Sequence, residues 1–256
     1  MTNLQASDPW FLRPQPNPQA TVRLFCFPYA GGGAGIFRTW SQELPAEIEV
    51  CLVQLPGRES RIRESALTRL DILIQQLSPA ILPLLDIPFA FFGYSMGALI
   101  GFELARQLRQ QNGLIPSHLF LAACRGVHIP TTHPIHQLSD SQFVAEINQR
   151  YQGIPLSVLQ NPELLQIVVP VLKADFAILD TYIFQPDVPL PCPFTAFGGF
   201  EDPIVSQENL LAWRDHTSNT FSLEMVPGDH FFLNQSRSQL LNTIVQRLGY
   251  PIEIKC

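Results

Sequence analysis

Charge is scarce in this sequence. Asp, Glu, Lys and Arg make up 15% of the 256 residues, and the formal net charge of -6 is not gathered into any long run of one sign. A nucleic-acid partner, which needs a basic face, is not expected. No apolar run reaches the length of a bilayer span, so no membrane partner is read either. There is no C-x-x-C, and no His/Cys group has metal-ligand spacing, so neither a metal nor another cofactor is read. Met1 to Asn17 holds no basic stretch followed by an apolar one, and no signal peptide is expected. The cysteines (Cys26, Cys51, Cys124, Cys192 and Cys256) are odd in number and widely scattered. The first three sit in apolar, strand-like runs and read as small core residues. A reducing cytoplasm fits that usage. Internal repeats and low-complexity tracts are also missing.

What is present is apolar and alternating. Hydrophobic residues make up 46% of the chain, enough for one large core, so a single domain over 1–256 is expected. Residues 1–20 are polar and proline-rich and read as an irregular arm. Strands are expected at Val22 to Phe27, Ile48 to Gln54, Phe89 to Phe92, Leu119 to Ala123, Phe194 to Phe197 and Phe221 to Val226, the last alternating like an edge strand. Between the early strands lie helical patterns: Phe37 to Leu44, Leu67 to Leu85 interrupted by Pro79, and Ala98 to Leu108 closed by Gly113. Ser206 to His216 and Gln239 to Leu248 read as later helices. Strands and helices alternating at this spacing predict an α/β fold with a mostly parallel central sheet flanked by helices.

The alternation breaks at roughly 127–190. Ser139-Asp140-Ser141-Gln142 resembles a capping box, and Asn161-Pro162-Glu163 an N-cap followed by proline, ahead of a helix that Pro170 should kink. Helices without strands between them read as an insertion. They are either a lid over a site or extra core-packing helices.

The stretch Gly93-Tyr94-Ser95-Met96-Gly97 organises the rest. It fits G-x-S-x-G, with an apolar strand before it and an amphipathic helix after it, the order of a nucleophile elbow. Ser95 must stand at a strained turn, and Gly93 and Gly97 remove side chains that would clash there. The helix directs main-chain N–H groups and its positive end at the serine. Earlier, Pro28-Tyr29-Ala30-Gly31-Gly32-Gly33-Ala34-Gly35 follows the first long strand. No G-K-[ST] is present, so this loop reads as half of an oxyanion hole rather than a phosphate loop, with a plain flexible loop as the alternative. Arg58, Arg61 and Arg63 are either solvated or face an anionic group at the mouth of the site.

A serine hydroxyl needs a base, and the base an orienting carboxylate. On this fold the three follow the order serine, acid, histidine. His230, in a loop before the last helix, is the candidate base. His118, His128, His133 and His136 come too early, and His216 reads as a helix C-terminal cap. Asp202, in the turn after Phe194 to Phe197, is the candidate acid, with Glu201 its rival. Asp229 is too close to His230 in the chain to orient its ring, and Asp175 and Asp180 fall in the insertion. The backbone N–H of Met96, just after the serine, and one from the Ala30 loop are the candidate oxyanion donors.

Taken together, Phe27-Pro28-Tyr29-Ala30-Gly31-Gly32, Leu55-Pro56-Gly57-Arg58-Glu59, Gly93-Tyr94-Ser95-Met96-Gly97-Ala98, Leu172-Lys173-Ala174-Asp175-Phe176 and Gly228-Asp229-His230-Phe231-Phe232 resemble the type II thioesterases of nonribosomal peptide and polyketide assembly lines. That family is close to the vertebrate thioesterase II acting with fatty acid synthase. The match runs from about residue 22 to 248. It implies an α/β-hydrolase fold with a mobile helical lid, a Ser95, Asp202 and His230 triad, and Ala30 and Met96 as oxyanion donors. It also implies an acyl group held as a thioester on the phosphopantetheine arm of a carrier domain as substrate, with no cofactor of the protein's own. A monomer is expected. Lys173 stands where the family often has Arg, and Cys124-Arg125-Gly126-Val127-His128 replaces a Gly-Arg-Arg-Ala-Pro-like stretch. Both departures bear on acyl specificity and carrier docking. An esterase or lactonase on small free molecules, or a non-catalytic binding protein of the same fold, are the competing readings.

Overall fold

The structure is a computed structural model that describes residues 9–251. Residues 1–8 of the N-terminal arm, and Cys256, lie outside the described residues. Seven strands form one sheet in the order β1-β3-β2-β4-β5-β6-β7. They are β1 (Phe11–Leu12), β2 (Val22–Phe27), β3 (Ile48–Val53), β4 (Phe89–Tyr94), β5 (His118–Ala122), β6 (Phe194–Gly199) and β7 (Phe221–Val226). The helices are α1 (Trp40–Glu43), α2 (Leu70–Ile81), α3 (Met96–Asn112), α4 (Asp140–Tyr151), α5 (Leu156–Leu159), α6 (Pro162–Thr181), α7 (Gln207–Leu211) and α8 (Arg237–Arg247). Strands β2 to β7 pair in parallel.

Period-two alternation assigns the side chains to the two faces of the sheet. On β2, Phe25 and Phe27 join a core shared with α2 and α3, whereas Leu24 and Cys26 join a core shared with α1 and α8. Both faces are covered, so the inner strands are buried at every position and mostly apolar, as parallel sheets require. β7 is an edge strand and mostly half-buried, which its alternation predicts.

Two expectations change. The arm is not irregular throughout: Phe11–Leu12 pairs antiparallel with Val53 and Leu52, and Trp10 and Phe11 are buried. Two residues are too few to show a period. Second, α2 runs through Pro79 and ends two residues later at Ile81. Near a helix terminus, the N–H that proline lacks costs one bond only. α6 runs from Pro162 to Thr181 with Pro170 inside it.

Between β5 and β6 the chain forms α4, α5 and α6 and no strand, only an isolated bridge from Leu190 to Thr217. Ser139 and Gln142 make the capping box, and the Asn161 side chain accepts from the amides of Glu163 and Leu164. Phe143 and Ile147 of α4 meet Val169, Leu172 and Phe176 of α6 in a small core of their own.

All four described cysteines are free thiols, Cys124 half-buried and the others buried. Burial raises their pKa, to about 12 for Cys51 and Cys192 and to about 11 for Cys124.

Candidate active site

Ser95 closes β4, the middle strand of the sheet, and opens α3. Its φ of 53° and ψ of -113° are a strained combination for a residue with a side chain. The turn is this tight because Gly93 and Gly97 permit it. A Cβ on Gly93 would lie 2.3 Å from the Gly97 oxygen, and one on Gly97 would lie 2.1 Å from the Phe27 oxygen. Both obstacles are backbone, so neither yields. The Ser95 amide donates to the Ala122 carbonyl at 2.7 Å, which holds the turn against β5.

His230 and Asp202 reach the serine from two other strand ends. His230 Nε2 lies 3.2 Å from Ser95 Oγ, and its Nδ1 lies 2.9 Å from Asp202 Oδ2. An ionised carboxylate only accepts, so Nδ1 carries the proton and Nε2 is left to accept from the serine hydroxyl. Asp202 is itself fixed, because its Oδ1 accepts from the amides of Ile204 at 2.8 Å and Val205 at 3.2 Å. The His230 and Asp202 side chains are 5% and 0% exposed, so water does not compete for their contact.

The rival residues lie elsewhere. The Glu201 carboxylate accepts from the Gly228 amide and bracing of that loop is its contact. Asp229 accepts from the Phe231 amide at 2.8 Å. Asp180 receives the amides of Ile135 and His136. His216 is not a helix cap: it is buried, and its Nε2 lies 2.8 Å from His128 Nδ1. Burial, and then the neighbouring His128, lower its pKa to about 4. Arg58 and Arg61 are neither solvated nor at a mouth. Both are buried, Arg58 against Asp175 and Arg61 against Glu64, while Arg63 is exposed.

Two cavities meet at Ser95 and His230. A small one of about 50 Å³ is walled by Ala30, Ile147, Leu172, Phe176 and Phe231. A larger one of about 520 Å³ is walled by Cys124, Arg125, His128, Thr131 and Asp180 among others. Tyr151 of α4 borders both, its ring 5.2 Å from the His230 ring. Neither the Ala30 nor the Met96 amide has an acceptor among the described residues. The arrangement holds a hydroxyl, a base with a fixed tautomer, and unpaired amides beside an apolar recess. Such a set suits acyl transfer through a tetrahedral oxyanion.

A protein-family model described as a thioesterase domain matches residues 22–248. The chain belongs to the thioesterase domain family. The family makes it a hydrolytic enzyme. It is 45% identical to the gramicidin S biosynthesis protein GrsT of Aneurinibacillus migulanus over 249 residues, covering 97% of each chain. It is 36% identical to the medium-chain S-acyl fatty acid synthase thioesterase of Homo sapiens, covering 85% of this chain and 83% of that one. The solved structure of YbtT, a type II thioesterase from the yersiniabactin NRPS/PKS biosynthetic pathway, superposes with a TM-score of 0.83 at 28% identity, over 93% of this chain and 97% of that one. The α/β-hydrolase type of fold that the motifs imply is thereby shared with this thioesterase. Among the described residues no group of three or more His, Cys, Asp or Glu is placed to hold a metal, and no helix is long and apolar enough to cross a membrane.

Of the residues the sequence pattern points to, Ser95, His230 and Asp202 lie in one hydrogen-bonded line, Ala30 lines the small cavity beside them, and Met96 follows Ser95 in the chain. The pattern did not point to Tyr94, whose hydroxyl donates to the His230 carbonyl at 2.7 Å, or to Tyr151. A tyrosine inside the G-x-S-x-G motif was the available signal for the first. Nothing in the spacing marks the second.

Proposed function

We propose that this thioesterase clears acyl groups held as thioesters on the phosphopantetheine arm of carrier domains, acting in trans in an assembly line of the NRPS/PKS kind. Ser95 is the nucleophile, His230 the base and Asp202 the group that orients it. Ser95 Oγ attacks the acyl carbonyl while His230 Nε2 takes its proton. The oxyanion is met by the amides of Met96 and Ala30. Nε2 then returns the proton to the departing sulfur, whose thiol has an ordinary pKa of about 8.5 and leaves readily. Water repeats the sequence on the acyl-enzyme and frees the acid.

The observation that carries this reading is the hydrogen-bonded line from Ser95 Oγ through His230 to Asp202, at 3.2 and 2.9 Å. Similarity to GrsT, a gramicidin S biosynthesis protein, and to YbtT, a type II thioesterase, supports the substrate class. The segment 127–190 acts as a lid: Ile147 and Tyr151 of α4 and Leu172 and Phe176 of α6 roof the recess beside Ser95. The recess accommodates the acyl chain, and the larger cavity takes the pantetheine arm. The protein works as a cytoplasmic monomer and brings no cofactor.

Release of acetate from an acetylated carrier domain is the test. Wild type should release it, and Ser95→Ala should not exceed the rate without enzyme. Equal rates for the two would remove the proposal. Free oxoesters hydrolysed much faster than the carrier-bound thioester would move the enzyme to small free esters.

A further inference from the structure

The amide next to the candidate oxyanion donor is already engaged, and by a side chain far away in the chain. Gly31 N–H donates to Asp175 Oδ2 at 2.7 Å. Asp175 belongs to α6, and its carboxylate is 1% exposed. It is also gripped by Arg58, with Nη1 to Oδ2 at 2.6 Å and Nη2 to Oδ1 at 2.7 Å. Arg58 Nη1 reaches on to the Gly32 carbonyl at 3.3 Å, and its Nε to the Pro56 carbonyl at 3.3 Å. One buried ion pair therefore holds an N–H and a C=O of consecutive residues in the Ala30 loop.

The far end of that loop is held separately, by the Gly35 N–H donating to Glu59 Oε1 at 3.1 Å. Gly31 sits at φ +79°, a region that favours glycine, and a Cβ there would lie 2.5 Å from Leu172 Cδ2. Gly32 N–H turns back to the Tyr29 carbonyl at 2.9 Å. The Gly31 amide is committed to Asp175, whereas the Ala30 amide has no acceptor among the described residues. Ala30 lines the small cavity with Ser95 and His230. The peptide plane that Asp175 holds at Gly31 is joined to the plane carrying the Ala30 amide through the two dihedrals of Ala30 alone, so holding the first limits the direction of the second.

We infer that Asp175 and Arg58 are positioning residues that set the Ala30 amide for the oxyanion, so that the hole is complete only when α6 is seated on the loop. Rested on the proposed triad chemistry, this extends it by making the roof over the acyl recess and the oxyanion donor one mechanical unit. Asp175 does not touch the substrate. It acts through Gly31. An ion pair that served stability alone would be replaceable by an apolar pair of similar volume. A positioning pair would not, since Gly31 N–H would lose its acceptor.

Two variants separate these roles: Asp175→Asn, and the double variant Arg58→Met with Asp175→Leu, which leaves no buried charge unpaired. Each is measured on S-acetyl-N-acetylcysteamine, with thermal melting alongside. Affinity is also measured for a short alkylboronic acid, which forms a tetrahedral adduct on a serine, and for a non-hydrolysable S-alkyl pantetheine. Loss of one oxyanion donor lowers kcat by roughly 10²–10³-fold, so the folded double variant should lose about 10²-fold in kcat, with KM changed by less than about threefold. Boronate affinity should fall by a like factor while the thioether binds as in wild type. If Asp175→Asn does not fold, the double variant decides. A folded double variant with kcat and boronate affinity within about threefold of wild type would overturn the inference, since an intact donor cannot be missing its roughly 10²-fold contribution. Ser95→Ala retaining wild-type activity would instead remove the triad reading, so the two failures are told apart.

Discussion

The hydroxyl of Tyr94, one residue before the candidate nucleophile, donates to the main-chain carbonyl of His230 across 136 positions of sequence, at 2.7 Å. The strand that delivers the serine thereby holds the loop that delivers the base. Tyr94→Phe should keep the ring packing against Phe232 and leave the carbonyl without its donor. An unsatisfied buried acceptor costs about 1–3 kcal/mol. Urea denaturation should register that loss, and kcat should fall with KM little changed, since a base that drifts fails in the transition state rather than in binding.

Asp202 and Glu201 are neighbours with different work. Asp202→Asn should lower kcat by about 10⁴-fold, because an amide no longer fixes the Nδ1–H tautomer of His230. Glu201→Gln should leave kcat near wild type and cost about 1 kcal/mol of stability through its hydrogen bond to Gly228 N–H. Steady-state kinetics on an acyl thioester, with melting curves, distinguishes the two.

Two glycines of α3 should respond oppositely to the same substitution. Gly97→Ala brings a Cβ to 2.1 Å from a backbone oxygen, so at least about 3 kcal/mol of stability and the activity should be lost. At Gly101 the nearest atom to a new Cβ is Phe27 Cδ2 at 3.5 Å. There alanine should stabilise by up to about 1 kcal/mol through helix propensity. Chemical denaturation of both variants checks this.

Acid should weaken the fold through its buried histidines. His118 is 4% exposed, and burial, with a smaller contribution from Arg247, lowers its pKa to about 4 from 6.5. The unfolded chain then binds the proton first, so stability falls as pH drops from about 6.5 toward 4. Between pH 7 and pH 5 this group should cost roughly 2 kcal/mol. His118→Phe should flatten that part of the slope. Thr195, its hydrogen-bond partner, keeps Ser222 at 2.9 Å. Urea midpoints at the two pH values, for wild type and variant, measure the difference.

Ile147 is buried and walls the small recess beside Ser95. Ile147→Ala should enlarge the recess at a cost of about 2–5 kcal/mol in stability. The ratio of hexanoyl to acetyl thioester hydrolysis, taken as kcat/KM, should rise above the wild-type ratio. An unchanged ratio would mean that the acyl chain lies elsewhere.

Much of the site was legible because its chemistry sits at strand ends. Ser95 and Asp202 each follow an apolar run and His230 an alternating one, and runs of both kinds are visible without coordinates. The sheet was legible for the same reason, except β1, whose two residues offer no repeat. The clamp on Gly31 was not legible. Asp175 and Arg58 are 117 positions apart, and an arginine amid two others in a glycine-proline loop looks like a solvated residue. His216 was misread because its partner His128 lies in another loop, and only the fold sets the two rings 2.8 Å apart. Local pattern reveals what a residue does to its own segment. Pairing between segments requires the folded chain.

Cys124 stands in the wall of the larger cavity, where a thioester would pass. Thioesters exchange with any available thiolate, and the leaving group here is itself a thiol. With its pKa raised from 9.0 to about 11, Cys124 carries about a hundredfold less thiolate at neutral pH than an unperturbed thiol. Acyl migration onto the protein's own sulfur, and mixed disulfides with a released arm, are suppressed in the same stroke. The traffic is left to oxygen: what enters on sulfur departs as acid, and Cys124 stays out of the exchange.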